Sequence, residues 1–274
     1  MQIAEVSAPR NLNEALSFYK RFPAMIPTSG CTGLMLDQSK KPVSIISLHS
    51  IAELQTITRT DRYIEFGAAV SLSRILSIPN IKQITPLQKA IETIGTFSTR
   101  NLSTIGGNLF VNGTGTLFPI LALLDASCEI RSFNAIKIIK IYDLLKSPNS
   151  VILPENFLLT KIRLPIDNSL PVFLFAKNKL NCFPDKDSIL IALTADFSRS
   201  ICSNMRIMLH DGRCIRARAI ELFLIGKDFP LSREEIETVI TMLHNILEEY
   251  NFTESQKYFF IENLVNFMMN LPGE

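Results

Sequence analysis

Proline stands at both ends of the run Pro165 to Pro171, and Asp167, Asn168 and Ser169 fill its middle. Proline fixes φ, removes a backbone donor and pushes its predecessor out of the helical region. Neither a helix nor a central strand passes through such a run. The chain is therefore read as two folding units, residues 1–165 and the smaller 171–274. A length of 274 residues suits one large core and one small one.

The first unit mixes helix and strand signals. Asn11 opens a helix that runs to Phe22, with Glu14 as the second half of a capping box and Leu12, Ala15, Leu16 and Tyr19 as one apolar stripe. Val43–Leu48 and Tyr63–Val70 read as strands. Leu87–Ile94 reads as a helix stopped by Gly95, and Pro119–Ala126 as a buried helix with proline in its first turn. Cys128–Arg131 and Ala135–Ile141 read as further strands.

The second unit carries a strand at Leu190–Phe197. Met205–Leu209 and Cys214–Ala219 then flank His210-Asp211-Gly212-Arg213, a hairpin signal, with Arg213, Arg216 and Arg218 as solvated positions on it. Ser232 and Glu235 form a capping box for a helix over Arg233–Tyr250. A last helix, Glu254–Asn270, is apolar around much of its circumference, so Phe259, Phe260, Leu264 and Phe267 need a partner surface. The fold class is α+β.

Composition excludes several functions. Hydrophobic residues make up 47% and charged residues 20%, which excludes a disordered chain. The net charge of +2 provides no field for nucleic acid or an anionic membrane. Mean hydropathy is +0.21, yet no run reaches the roughly 18 apolar residues of a membrane span. The surplus apolar surface points to one subunit of a larger complex. Met1–Val6 has no basic n-region, so the expected location is cytoplasmic. No C-x-x-C pair and no H-E-x-x-H occurs among the five Cys and three His, so no metal site is expected of this chain. With no G-x-S-x-G and no Cys beside a His, no catalytic nucleophile is expected either.

Two glycine-bearing loops remain: Thr28-Ser29-Gly30-Cys31-Thr32-Gly33-Leu34, and Thr104-Ile105-Gly106-Gly107-Asn108. Glycine lets the backbone approach a ligand closely, and successive amides in such turns form concave anion sites. Two of them can grip a diphosphate without a positive side chain. On spacing alone, two ordinary glycine turns are the competing reading. Neither loop is G-x-G-x-x-G or a P-loop. A shortage of acid–base groups fits a chain that holds a cofactor and leaves the chemistry to it.

The run from Arg100-Asn101 through Thr104-Ile105-Gly106-Gly107-Asn108-Leu109 resembles the I-R-N-x-x-T-I-G-G-N-L signature of the FAD-binding medium subunit of molybdenum hydroxylases, the xanthine dehydrogenase and carbon monoxide dehydrogenase family. Leu117–Ala126 resembles that family's L-L-P-A-L-L-A-L-D-A, Thr28–Leu34 its A-G-G-T-D-L loop, and Ala219–Gly226 its closing A-x-x-x-E-x-x-L-x-G. Within the family, the chain is most similar to flavin subunits of the selenate reductase or purine hydroxylase type. The resemblance implies a two-part FAD-binding domain of the molybdopterin dehydrogenase (PCMH-like) type over 1–165, with subdomains of about 1–55 and 56–165. A C-terminal α+β domain of the CO dehydrogenase flavoprotein type follows over 171–274.

The resemblance also implies site residues. Thr28, Ser29, Gly30, Cys31, Thr32, Gly33 and Leu34 would wrap the FAD diphosphate, and Thr104, Gly106, Gly107 and Asn108 would close on it. Ile94 and Gly95 would lie along the adenine, and Leu158 and Lys177 along the flavin. The implied partners are a molybdopterin-binding large subunit and a 2Fe–2S subunit, from which electrons pass through FAD to NAD or another acceptor. Gly33 stands where the family has an Asp, and two further departures keep a second reading open, a flavin-free scaffold: Cys31 replaces a family glycine, and residues 110–118 contain no acid.

Overall fold

The computed structural model describes residues 2–36, 41–79, 81–111, 115–148, 150–166, 172–179 and 188–270. The chain divides into two compact units, Met1–Asp167 and Asn168–Glu274. Residues 167–171, most of the proline-bounded run, lie outside the described residues.

The first unit begins β1 (Gln2–Ser7), α1 (Leu12–Arg21), β2 (Ile26–Thr28) and β3 (Pro42–Ser47). Asn11 Oδ1 accepts the Glu14 amide at 2.9 Å, as expected of the cap. The Glu14 carboxylate reaches back one residue further, to the Arg10 amide at 2.8 Å. The stripe of α1 buries Leu12, Ala15 and Leu16 against Ile46, Leu48 and Ile51. The three strands form a parallel sheet in the order β1-β3-β2.

There follow β4 (Ile57–Arg59), β5 (Tyr63–Gly67), α2 (Leu72–Leu76), α3 (Thr85–Glu92), α4 (Phe97–Leu102), α5 (Ile105–Asn108), α6 (Leu117–Leu123), β6 (Ser127–Arg131) and β7 (Ile136–Lys140). A short ribbon of β8 (Leu145–Ser147) and β9 (Ser150–Val151) leads into β10 (Leu158–Pro165). The long strand β10 is central in an antiparallel sheet ordered β4-β5-β10-β6-β7. Helix α6 is almost wholly buried, from Leu117 through Leu121. Across β5, β10 and β6 runs an ion network: the buried Glu129 accepts from Arg131 at 2.7 Å, Thr160 Oγ1 at 2.9 Å and Arg163 at 3.0 Å. Burial pushes the Glu129 carboxyl upward, but Arg131, Thr160 and Lys161 outweigh it and hold the group below the usual carboxylate range.

The second unit is a four-stranded antiparallel meander, β11 (Val172–Lys179), β12 (Ser188–Ser198), β13 (Ile201–His210) and β14 (Cys214–Arg216), followed by α7 (Arg218–Leu224), α8 (Arg233–Glu249) and α9 (Glu254–Asn270). Ser232 and Glu235 form both halves of the expected capping box. The apolar face of α9 sinks Phe260, Leu264 and Phe267 into a core shared with Ile191, Leu193 and Ile207. Two expectations differ. The strand expected over Cys214–Ala219 ends at Arg216, because Arg218 starts a helix instead. Arg213 and Arg216 are not solvated positions: Arg213 chelates Asp211 and donates to the Tyr250 carbonyl at 2.8 Å. Arg216 Nε pairs at 2.9 Å with Glu221, which is buried and also accepts the Ile207 amide.

Candidate functional site

A cleft of about 720 Å³ opens in the first unit. Its walls are residues 26–34, five residues of the 104–111 stretch, and residues 151–155 with 157–159. Tyr19, Leu48, Leu54, Ala68 and Ala69 complete it. Local structure explains each wall. Pro27 and Thr28 end β2, and the loop from Ser29 to Gly33 turns away before a single 3-10 turn at Leu34–Leu36. Thr104 caps the four-residue helix α5, its Oγ1 accepting the Gly107 amide at 3.1 Å.

The two glycine loops touch. A Cβ on Gly30 would stand 1.7 Å from the Leu102 carbonyl oxygen, so only glycine allows this approach. Thr32 Oγ1 and Ser103 Oγ are hydrogen-bonded at 2.9 Å. Cys31 has φ 55°, in the left-handed region that favours glycine, and its thiol lies 3.5 Å from Thr28 Oγ1. The residue differs from the family glycine while the backbone keeps a glycine-like conformation.

Hydrogen bonding separates the loops. Among the described residues, the amides of Ser29 through Gly33 have no acceptor. Ser29 Oγ is shut off from solvent and has no partner there. The second loop is different from the expected nest. Its amides at Ile105, Gly106, Gly107 and Asn108 donate to Val70 O, Ala68 O, Thr104 Oγ1 and Thr104 O. Capping a helical turn and bridging to residues 68–70 uses them up. The anion-ready surface is therefore the first loop, with the second as its backing.

Among the described residues, no Lys, Arg or His lines the cleft, and Glu155 is the charged residue in its wall. Five unspent amides and a buried, unpartnered hydroxyl fit an oxygen-rich anion held by backbone dipoles. The apolar remainder, including Phe110, Phe157, Leu158 and Leu159, fits flat ring systems.

The expected site residues divide accordingly. Thr28, Ser29, Gly30, Cys31, Thr32, Gly33, Leu34, Thr104, Gly106, Gly107 and Leu158 line the cleft. Ile94, Gly95 and Asn108 are not among its lining residues. Ile94 and Gly95 follow the end of α3, and Arg100 Nη1 donates to both of their carbonyls at 3.0 Å. Asn108 is turned to an internal bond, described below. Lys177 lies on β11 of the second unit, paired in register with Leu190. Sequence reasoning missed the 151–159 wall apart from Leu158. Its signal was Val151-Ile152-Leu153-Pro154, an apolar run broken by proline.

Residues 2–167 match the family described as FAD binding domain in molybdopterin dehydrogenase. The chain belongs to that family. Among curated relatives of this FAD-binding family, the nicotinate dehydrogenase FAD-subunit of Eubacterium barkeri is 28% identical over 264 residues, covering 89% of this chain and 86% of its own. The glyceraldehyde dehydrogenase medium chain of Sulfolobus acidocaldarius is 27% identical over 161 residues, covering 57% of each chain. In fold, carbon monoxide dehydrogenase from Hydrogenophaga pseudoflava matches with a TM-score of 0.79 at 21% identity, over 97% of this chain and 95% of that one. Quinoline 2-oxidoreductase from Pseudomonas putida 86 matches with a TM-score of 0.73 at 21% identity, over 88% and 85%. The chain is thus an FAD-binding oxidoreductase subunit of the molybdenum hydroxylase type, with FAD as its cofactor. Among the described residues, no helix is long and apolar enough to cross a membrane.

Proposed function

We propose that this chain is the flavin relay of a multi-subunit dehydrogenase, receiving electrons from a 2Fe–2S partner of a molybdopterin-binding large subunit and delivering them to NAD or another acceptor. The support for partners is the resemblance, the relatives' names as FAD-subunit and medium chain, and the apolar composition. FAD supplies the redox step, since its ring can accept and return electrons. Everything else is the work of this chain's side chains and amides. The two parts are the FAD-binding domain over 1–165 and the C-terminal domain over 171–274.

The amides of residues 29–33 and the Ser29 hydroxyl would hold the diphosphate. Thr104, Gly106 and Gly107 back that loop, and Leu158 with Phe157 offers a dry wall to a ring. Lys177 is assigned to the flavin, and Ile94 and Gly95 to the adenine side, on the resemblance alone. A lysine cation beside the ring would stabilise negative charge on the reduced form.

The single observation that carries the reading is the run of amides without acceptors in a cleft without a basic side chain, both among the described residues. The purified chain should be yellow, with flavin absorption near about 450 nm. It should retain about one FAD per chain after desalting. A chain that stays colourless after incubation with FAD would point instead to the flavin-free scaffold.

A further inference from the structure

Asn108 closes the α5 turn and is only 9% exposed. Its Oδ1 accepts the Leu117 amide at 3.0 Å in a buried setting. Leu117 opens the buried helix α6, and the residue before it, Thr116, offers no side-chain cap bond. The first amides of a helix lack intrahelical acceptors, and a buried one left unpaired costs free energy. Asn108 is therefore a remote cap, placed by a residue nine positions earlier in the chain. Gly115 makes room for it: a Cβ there would stand 1.5 Å from Asn108 O and 2.8 Å from its Oδ1.

This bond ties the turn that leads into residues 109–111 to the start of α6. The residues directly after Asn108 include Phe110 and Val111, which stand in the cleft wall. Val111 in turn packs on the first loop, since a Cβ on Gly33 would meet Val111 Cγ2 at 2.8 Å. We infer that Asn108 is a positioning residue for the cofactor, acting through Val111 on Gly33 and the amides beside it rather than by touching the diphosphate. The inference rests on the FAD reading of the cleft. It assigns the last residue of the G-G-N run a different task from its two glycines.

Three variants of the full chain test it: Asn108→Leu, which removes the acceptor at similar size; Asn108→Asp, which keeps an Oδ1 acceptor; and Val111→Ala, which leaves the cap intact and loosens the contact with Gly33. Two readouts are taken, the Kd for FAD and amide hydrogen exchange over residues 28–34 in flavin-free protein. Asn108→Leu and Val111→Ala should each weaken FAD by about tenfold and speed exchange over that loop by about as much. Asn108→Asp should stay within about threefold of the parent in both. The inference is overturned if Asn108→Asp is as weak as Asn108→Leu, which would assign the side-chain amide to the cofactor directly. It is also overturned if exchange over 28–34 is unchanged in Asn108→Leu and Val111→Ala. Should Asn108→Leu fail to fold, Asn108→Ala takes its place in both readouts, and unchanged exchange over 28–34 in it overturns the inference. If the parent binds no FAD, the cofactor reading fails, while the exchange comparison still decides whether Asn108 is coupled to the loop.

Discussion

Gly30 lies flat against the Leu102 carbonyl, leaving no room for a side chain between the Ser29–Gly33 loop and the end of α4. A Cβ at 1.7 Å from a backbone oxygen cannot be relieved by a rotamer change, so the loop must move as a body. Gly30→Ala should therefore weaken FAD binding by more than about tenfold. Gly107→Ala meets only the Thr104 hydroxyl, at 2.9 Å, and should cost less. Titrating both variants with FAD checks the order, and equal losses would contradict the geometry.

Cys31 holds φ 55°, where a Cβ costs roughly 1–2 kcal/mol. Replacing it with glycine removes that strain but lengthens the list of unfolded conformations, an opposing effect of about 0.5–1 kcal/mol. Cys31→Gly should raise stability by about 0.5 kcal/mol and leave FAD affinity intact or improved. Urea unfolding of the flavin-free chain measures the first, and a clear destabilisation would refute the strain.

Glu129 is held below the ordinary carboxylate range in the folded chain. A depressed folded pKa contributes stability above the unfolded value of about 4.3, and that contribution is lost as pH falls through the folded value. The first unit should lose stability on acidification below about pH 4.5, with Glu129→Gln showing a flatter profile in that window. At pH 7 the variant should be less stable by about 3 kcal/mol, because Arg163 and Arg131 lose a buried partner. Denaturation at several pH values gives both numbers.

In the second unit Glu221 serves the Ile207 amide and Arg216 together. Glu221→Ala should cost about 3–4 kcal/mol. Glu221→Gln, which keeps an acceptor for Ile207, should cost visibly less. Thermal melts of the two variants separate the ion pair from the amide bond, and identical melting points would show that only the charge matters.

Local signals in the sequence translated directly into local structure. Asn11 and Ser232 cap helices because a short side-chain acceptor three residues before an amide needs no tertiary context. The pairing of the two glycine loops was legible in kind, since glycine marks close backbone approach. What was not legible depends on distant neighbours. The central position of β10 is set by partners about 30 and 95 residues away. The loss of the amides at 105–108 depends on the carbonyls of Ala68 and Val70. The resemblance implied Asn108 in the grip on the diphosphate, but that its Oδ1 accepts the Leu117 amide was not legible. Residues 112–114, in the acid-free stretch, fall outside the described residues.

The order β1-β3-β2 has a consequence for biosynthesis. Each outer strand of the small sheet pairs only with β3, the last of the three to be made. The loop after β2 thus leaves the ribosome before the strand that anchors it, and some seventy residues before Leu102, on which Gly30 rests. A nascent chain cut short of Leu102 would carry the whole Ser29–Gly33 sequence without the Leu102 carbonyl and the Ser103 hydroxyl that Gly30 and Thr32 meet. Cofactor capture during translation must wait for about the first hundred residues to emerge, at roughly 5–20 residues per second a matter of seconds.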